Sequence, residues 1–182
     1  MAARFGALAL GLLTAACAAG TTTVNRHGNR DYVDASYIRH AASAGGFTVA
    51  VHNPPRGEAI TPAVQRTIEQ ALQTSSGVTH DVAFDAEPDA SAYTVRVVFH
   101  PADSVQVQDL CAVAEPATRV RDGGRVPVAI AWCDGETTMQ WVTGAHTAMP
   151  DLDTGKLDRL MRGVGYELFA APLFSEHAVN IP

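Results

Sequence analysis

Residues 130–141 read IAWCDGETTMQW, placing a thiol, two carboxylates and two tryptophans within ten positions. The letters suggest a reactive site, but the spacing suggests a turn. Asp-Gly between two alternating runs is a strong hairpin signal, because both central residues of a type I′ turn need positive φ. With Asp134-Gly135 as the loop, Cys133 faces Glu136, Trp132 faces Thr137, Ile130 faces Met139 and Val128 faces Trp141. One face then gathers Val128, Ile130, Trp132, Met139 and Trp141. The other gathers Ala129, Ala131, Cys133, Glu136, Thr138 and Gln140. A register that sorts large apolar from small and polar residues this well predicts a half-buried antiparallel pair. Pro127, opposite Val142, has no N–H to give, so the pairing is expected to end or bulge near Val128.

Outward from the hairpin, the body alternates strand and helix signals. GFTVAVHN, from Gly46, places Phe47, Val49 and Val51 on one face of a strand. Thr61 and Pro62 supply an N-cap and a first helical residue, and Val64, Ile68, Ala71 and Leu72 form the stripe of the helix that follows. HDVAFDAE is expected to be a short strand. AYTVRVVFHP is a stronger one, with Tyr93, Val95, Val97 and Phe99 on one side. SVQVQDLCAV is either strand or irregular loop. Leu157, Leu160, Met161, Val164 and Leu168 mark a final helix that Pro172 is expected to end, with Asp151 and Asp153 explained by capping. The order predicts one α+β domain: a mainly antiparallel sheet with two helices packed on one face, a two-layer sandwich.

The N-terminus answers a different question. MAARFGALALGLLTAACAAG has one cation, Arg4, then an apolar run over 5–16 that is too short to span a bilayer, and then Cys17. This resembles the signal of bacterial lipoproteins, in which the cysteine is acylated and becomes the new N-terminus. Thr14 stands three residues before Cys17, where that pattern has Leu, Val or Ile, and Leu13 lies one place earlier. Conventional secretion, with cleavage after Ala16 or Ala18, and an uncleaved anchor are the alternatives. Residues 1–16 are thus expected to be a signal peptide. Residues 17–45, with AAGTTTVNRHGNRD and AASAGG, are expected to be a lipidated N-terminus and flexible tether. Residues 46–182 are expected to be the domain. DYVDASYIRHA within the tether is apolar enough for a short edge strand or a turn of helix.

Three cysteines are present. If Cys17 carries lipid, Cys111 and Cys133 remain, and an even pair in an oxidising compartment is most simply a disulfide. Closing that loop stabilises by about 3 kcal/mol in the chain-entropy account. An unlipidated Cys17 would be either removed or left as an odd thiol.

The formal charge of -6, or -7 once Arg4 is removed, argues against nucleic acid as a partner. Arg119, Arg121 and Arg125 flank an Asp-Gly-Gly turn and suit a solvated hairpin end. No HxxH or CxxC supports zinc, and no GxSxG, P-loop or GxGxxG is present. His27, His40, His52, His80, His100, His146 and His177 are scattered without local pattern, so no catalytic residue, metal or cofactor is assigned.

The lipobox-like Cys17, polar tether and small α+β body together resemble the small uncharacterised lipoproteins of Gram-negative bacteria. The resemblance implies a periplasm-facing domain held on a membrane through Cys17, with a structural or interaction role and an envelope protein as partner. Ala18 after the cysteine, in place of Asp, leans toward the outer membrane. The alternative is a periplasmic enzyme or small-ligand binder whose site is not legible as a motif.

Overall fold

The computed structural model describes residues 22–29, 35–55, 60–76, 83–85, 93–119, 124–147 and 153–175. The hairpin forms the middle of a five-stranded sheet. Its strands are β1 (Thr22–Asn29), β2 (Thr48–His52), β3 (Tyr93–Phe99), β4 (Arg125–Asp134) and β5 (Thr137–Thr147), in the spatial order β1-β5-β4-β3-β2. Every pair is antiparallel except β2 with β3. A parallel pair needs a crossover connection, and α2 (Pro62–Ser75) lies in it. Helices α1 (Ala35–Ser43), α2 and α3 (Thr154–Ser175) contribute to one core on one face of the sheet, so the α+β expectation holds with one helix more than expected.

The hairpin turns one residue later than expected. Asp134 pairs with Thr137, leaving Gly135-Glu136 as the loop. Gly135 has φ +55° and Glu136 does not share the positive φ, the glycine-first pattern of a II′ turn and not of I′. The register then shifts again between Trp132 and Cys133. Beyond this bulge Trp132 faces Gln140, Ile130 faces Val142 and Ala131 faces Trp141. The two tryptophans therefore part company. Trp132 is fully buried in the helix-side core, while Trp141 packs on the opposite face. Gln140 takes the inward place, fully buried, and its Nε2 donates to the Glu167 carbonyl at 3.5 Å.

Pro127 does not end the ladder, which runs on to Arg125 opposite Thr147. The Pro127 carbonyl accepts from His100 N–H at 2.9 Å, toward the β3 side. The missing N–H would point the same way, past the end of β3, so no bond to β5 is lost.

The segment expected to be a tether joins the domain. β1 pairs along β5, and Ile38 and Ala41 of α1 have no solvent exposure. AASAGG closes α1: Gly46 N–H bonds the Ala41 carbonyl at 2.9 Å and Gly45 N–H bonds that of Ala42 at 3.4 Å, the two bonds of a Schellman cap. Gly46, at φ +92°, also passes so close to the Ala83 carbonyl that a Cβ would strike it. Of the expected strand around Phe84, the described residues 83–85 are not strand, but Phe84 is buried and stacks on Phe47 at 5.2 Å. Phe47, Tyr93, Trp132 and Phe169 complete the aromatic centre.

Two expected caps are present. Thr61 Oγ1 accepts from Val64 N–H at 3.3 Å, and Asp153 Oδ1 accepts from Gly155 and Lys156 N–H at 2.8 and 3.3 Å. Asp151 lies outside the described residues. Helix α3 continues past Pro172 to Ser175, contrary to the expected stop. A proline at this place has no N–H to give the carbonyl four residues back, a local cost that the helix bears without ending.

Candidate functional site

The second face of the sheet is the more unusual one. Val98, Ala131 and Cys133 point there, and they are covered by Leu110 and Cys111 from a 3₁₀ turn, Val107–Ala112, with Val105 and Trp141 packed at the margin. This small second core exists because the chain from Pro101 to Thr118 crosses back over the sheet as a strap.

Three attachments hold the strap. Cys111 and Cys133 are joined as a disulfide, with 5.6 Å between their Cα atoms. Cys111 N–H donates to Thr138 Oγ1 at 3.2 Å, across the hairpin from Cys133. Arg96 projects from β3 on the same face and its Nη1 donates to the carbonyls of Leu110 and Val113. Those carbonyls end the 3₁₀ turn, where backbone acceptors lack internal partners. At its margins the strap is tied by a bridge between Pro101 and Thr118 and an ion pair of Arg119 with Asp103 at 3.1 Å. Arg121 lies outside the described residues.

The strap itself forms a groove of about 310 Å³, lined among others by Val105, Asp109, Leu110, Val113 and Glu115. Val113 is 44% exposed, one of two large apolar side chains so exposed among the described residues. Behind Glu115, at the end of β2, lies His52, its Nδ1 3.8 Å from Glu115 Oε2. Burial holds the His52 pKa below its ordinary value, and the Arg96 guanidinium lowers it further while Glu115 acts in the opposite direction. A neutral imidazole beside a carboxylate has the elements of a general base. Its geometry is unsuited to that role here: Nε2 is buried and has no hydrogen-bond partner, so a molecule in the groove does not touch it.

Among the described residues the other histidines do not assemble. His40 on α1 packs edge-on against Tyr93 at 5.9 Å. His100 is buried at the start of the strap with φ +50°. His146 is buried under the helix layer, Nδ1 3.4 Å from Thr22 Oγ1. The side chains of His27, His80 and His177 lie outside the described residues, as does Cys17. Among the described residues no three His, Cys, Asp or Glu side chains are placed to hold a metal ion, and no helix is long and apolar enough to cross a membrane.

Sequence reasoning identified the two cysteines but passed over Arg96, Thr138 and Glu115. Arg96 left a trace: it shares parity with Val98, opposite to the Tyr93, Val95, Val97 and Phe99 face, and so marks a sheet face with something polar to hold. Glu115 left none.

No family model and no curated protein sequence matches the chain. Similar solved structures include a dodecamer of a PelC point variant from Paraburkholderia phytofirmans, at 13% identity and TM-score 0.44, covering 82% of this chain and 98% of that one. A second PelC dodecamer from the same organism has 15% identity and TM-score 0.36, with coverage of 84% and 96%. A Xanthomonas campestris protein described under DUF330 has 8% identity and TM-score 0.32, with coverage of 84% and 93%. Likenesses this distant leave the function to be argued from the residues of this chain.

Proposed function

We propose that the chain is an exported lipoprotein, acylated on Cys17, whose α+β domain faces the periplasm and serves the cell envelope as a structural or interaction module. The observation that carries this reading is the Cys111–Cys133 disulfide. Structural disulfides persist in oxidising compartments and are rare in a reducing cytosol. With two of the three cysteines joined, Cys17 is left over, and it follows Arg4 and the apolar run 5–16 as an acylated cysteine would. The strap supports the interaction role: its groove offers the exposed Val113 beside Asp109 and Glu115, a mixed apolar and acidic surface suited to a protein partner.

Expression in a Gram-negative host fed labelled palmitate tests the anchor. The wild-type protein takes up label and sediments with membranes, whereas Cys17→Ser does neither. An unlabelled wild-type protein recovered in the soluble periplasmic fraction overturns the reading.

A further inference from the structure

The acyl anchor and the folded domain are joined by very little chain. Cys17 precedes Thr22, the first residue of β1, by five residues. At ~3.5 Å per extended residue, Thr22 stays within ~17 Å of the acylated sulfur. That is shorter than the usual breadth of a domain of this length, so the surface around Thr22 is kept near the bilayer.

This surface has a definite composition. Thr22 lines a shallow groove of about 570 Å³ between α2 and α3, with Arg159, Arg162, Gly163 and Tyr166 among the other lining residues and Glu167 as its one carboxylate. Positions 159, 162, 163 and 166 fall at helical spacing and form one outward stripe of α3. Gly163 leaves the stripe low at its centre, where a Cβ would sit 3.1 Å from Thr22 Cγ2. Tyr166 is 54% exposed, the other large apolar side chain left in solvent among the described residues. Arg162 engages Asp158 through Nε at 3.0 Å, leaving its terminal nitrogens available, and Arg159 makes no ion pair with the described residues. Two guanidiniums and a phenol therefore flank the point at which an acidic domain is tethered.

We propose that this α3 stripe docks on anionic phospholipid headgroups, with Arg159 and Arg162 taking lipid phosphates and Tyr166 lying in the interfacial layer. The proposal rests on acylation of Cys17, which keeps the stripe at the membrane. Guanidinium matches phosphate in a two-pronged geometry, tyrosine favours the boundary between headgroup and acyl chain, and a basic residue near an anionic leaflet is worth roughly fivefold in surface partition. Docking fixes the domain's orientation and turns the strap groove, on the opposite sheet face from the helices, toward the periplasm.

The test uses the full acylated protein reconstituted in vesicles of phosphatidylethanolamine and phosphatidylglycerol, with hydroxyl-radical footprinting of Tyr166. Val113, on the strap, is the internal reference. Tyr166 oxidation is expected to fall several-fold against Val113, and to recover in phosphatidylcholine vesicles and in the Arg159→Glu/Arg162→Glu variant. A Tyr166-to-Val113 oxidation ratio on anionic vesicles no lower than that of the same protein in detergent overturns the docking while leaving the anchor standing. Equal protection on both lipids, or unchanged protection in the variant, overturns headgroup recognition. Mass spectrometry of the N-terminal peptide separates these results from failure of the anchor, because an unacylated Cys17 overturns both.

Discussion

His52 sits where three influences meet, and each can be removed separately. Burial and Arg96 disfavour its charge, while Glu115 favours it. Replacing Glu115 by Gln removes the one opposing influence, so the His52 pKa should fall further below its ordinary 6.5. Titration of the ring protons by NMR measures it, and a rise would show that the 3.8 Å pair does not set the ring's charge. The consequence for stability has a fixed sign. Above pH 6.5 the ring is neutral in folded and unfolded chains alike, and its contribution is fully present. Below 6.5 the unfolded chain takes the proton first, so stability declines until the pH reaches the lowered folded pKa. His52→Gln should flatten that part of the stability curve, as read from urea midpoints across the same range. Nothing in the sequence near His52 revealed this, because Arg96 and Glu115 lie 44 and 63 residues away along the chain.

The elements show which local signals decide and which are overruled. Thr61-Pro62 and the Val64 stripe produced the helix they promised, since a cap and an apolar face act within a few residues. The hairpin formed too, but one residue past the expected Asp-Gly loop, and its register followed the glycine's φ and a bulge, and not the best sorting of side chains. Gln140 is the result: a polar side chain inside, with one amide bond to α3 as compensation. The strap was ambiguous in sequence for a physical reason. It has little regular hydrogen bonding of its own and is fixed by attachments from distant strands. Its disulfide spans a separation of 22 residues, so Cys111→Ala/Cys133→Ala should lose about 3 kcal/mol of unfolding free energy. Denaturant melts should show the loss, and dithiothreitol should bring the wild-type protein to the same midpoint. A difference well under 1 kcal/mol would mean that Arg96 and Thr138 hold the strap without the bond.

At the scale of the whole molecule, the largest departure from sequence expectation lies at the N-terminal side. Residues 17–45 have the small, polar, Gly-bearing composition of a linker, yet β1 and α1 arise from them. Composition misleads here because the stabilisation is borrowed. β1 gains its hydrogen bonds from β5, and α1 commits only a few side chains, chiefly Ile38 and Ala41, to a core that other elements already build. A strand added at a sheet edge needs little apolar patterning of its own once a partner edge is waiting. The two glycines that suggested flexibility are instead the helix cap and the tight passage beside Ala83. Truncation separates the two accounts. A chain beginning at residue 21 should melt cooperatively, as the intact domain does. A chain beginning at residue 46 uncovers β5, empties the Ile38 site and removes the residues around Thr22 that α3 packs against. Loss of a buried isoleucine alone costs about 2–5 kcal/mol, comparable to the whole margin of a small domain. The shorter chain should therefore show no cooperative transition by circular dichroism. A melt matching that of the longer chain would restore residues 21–45 to the role of a tether.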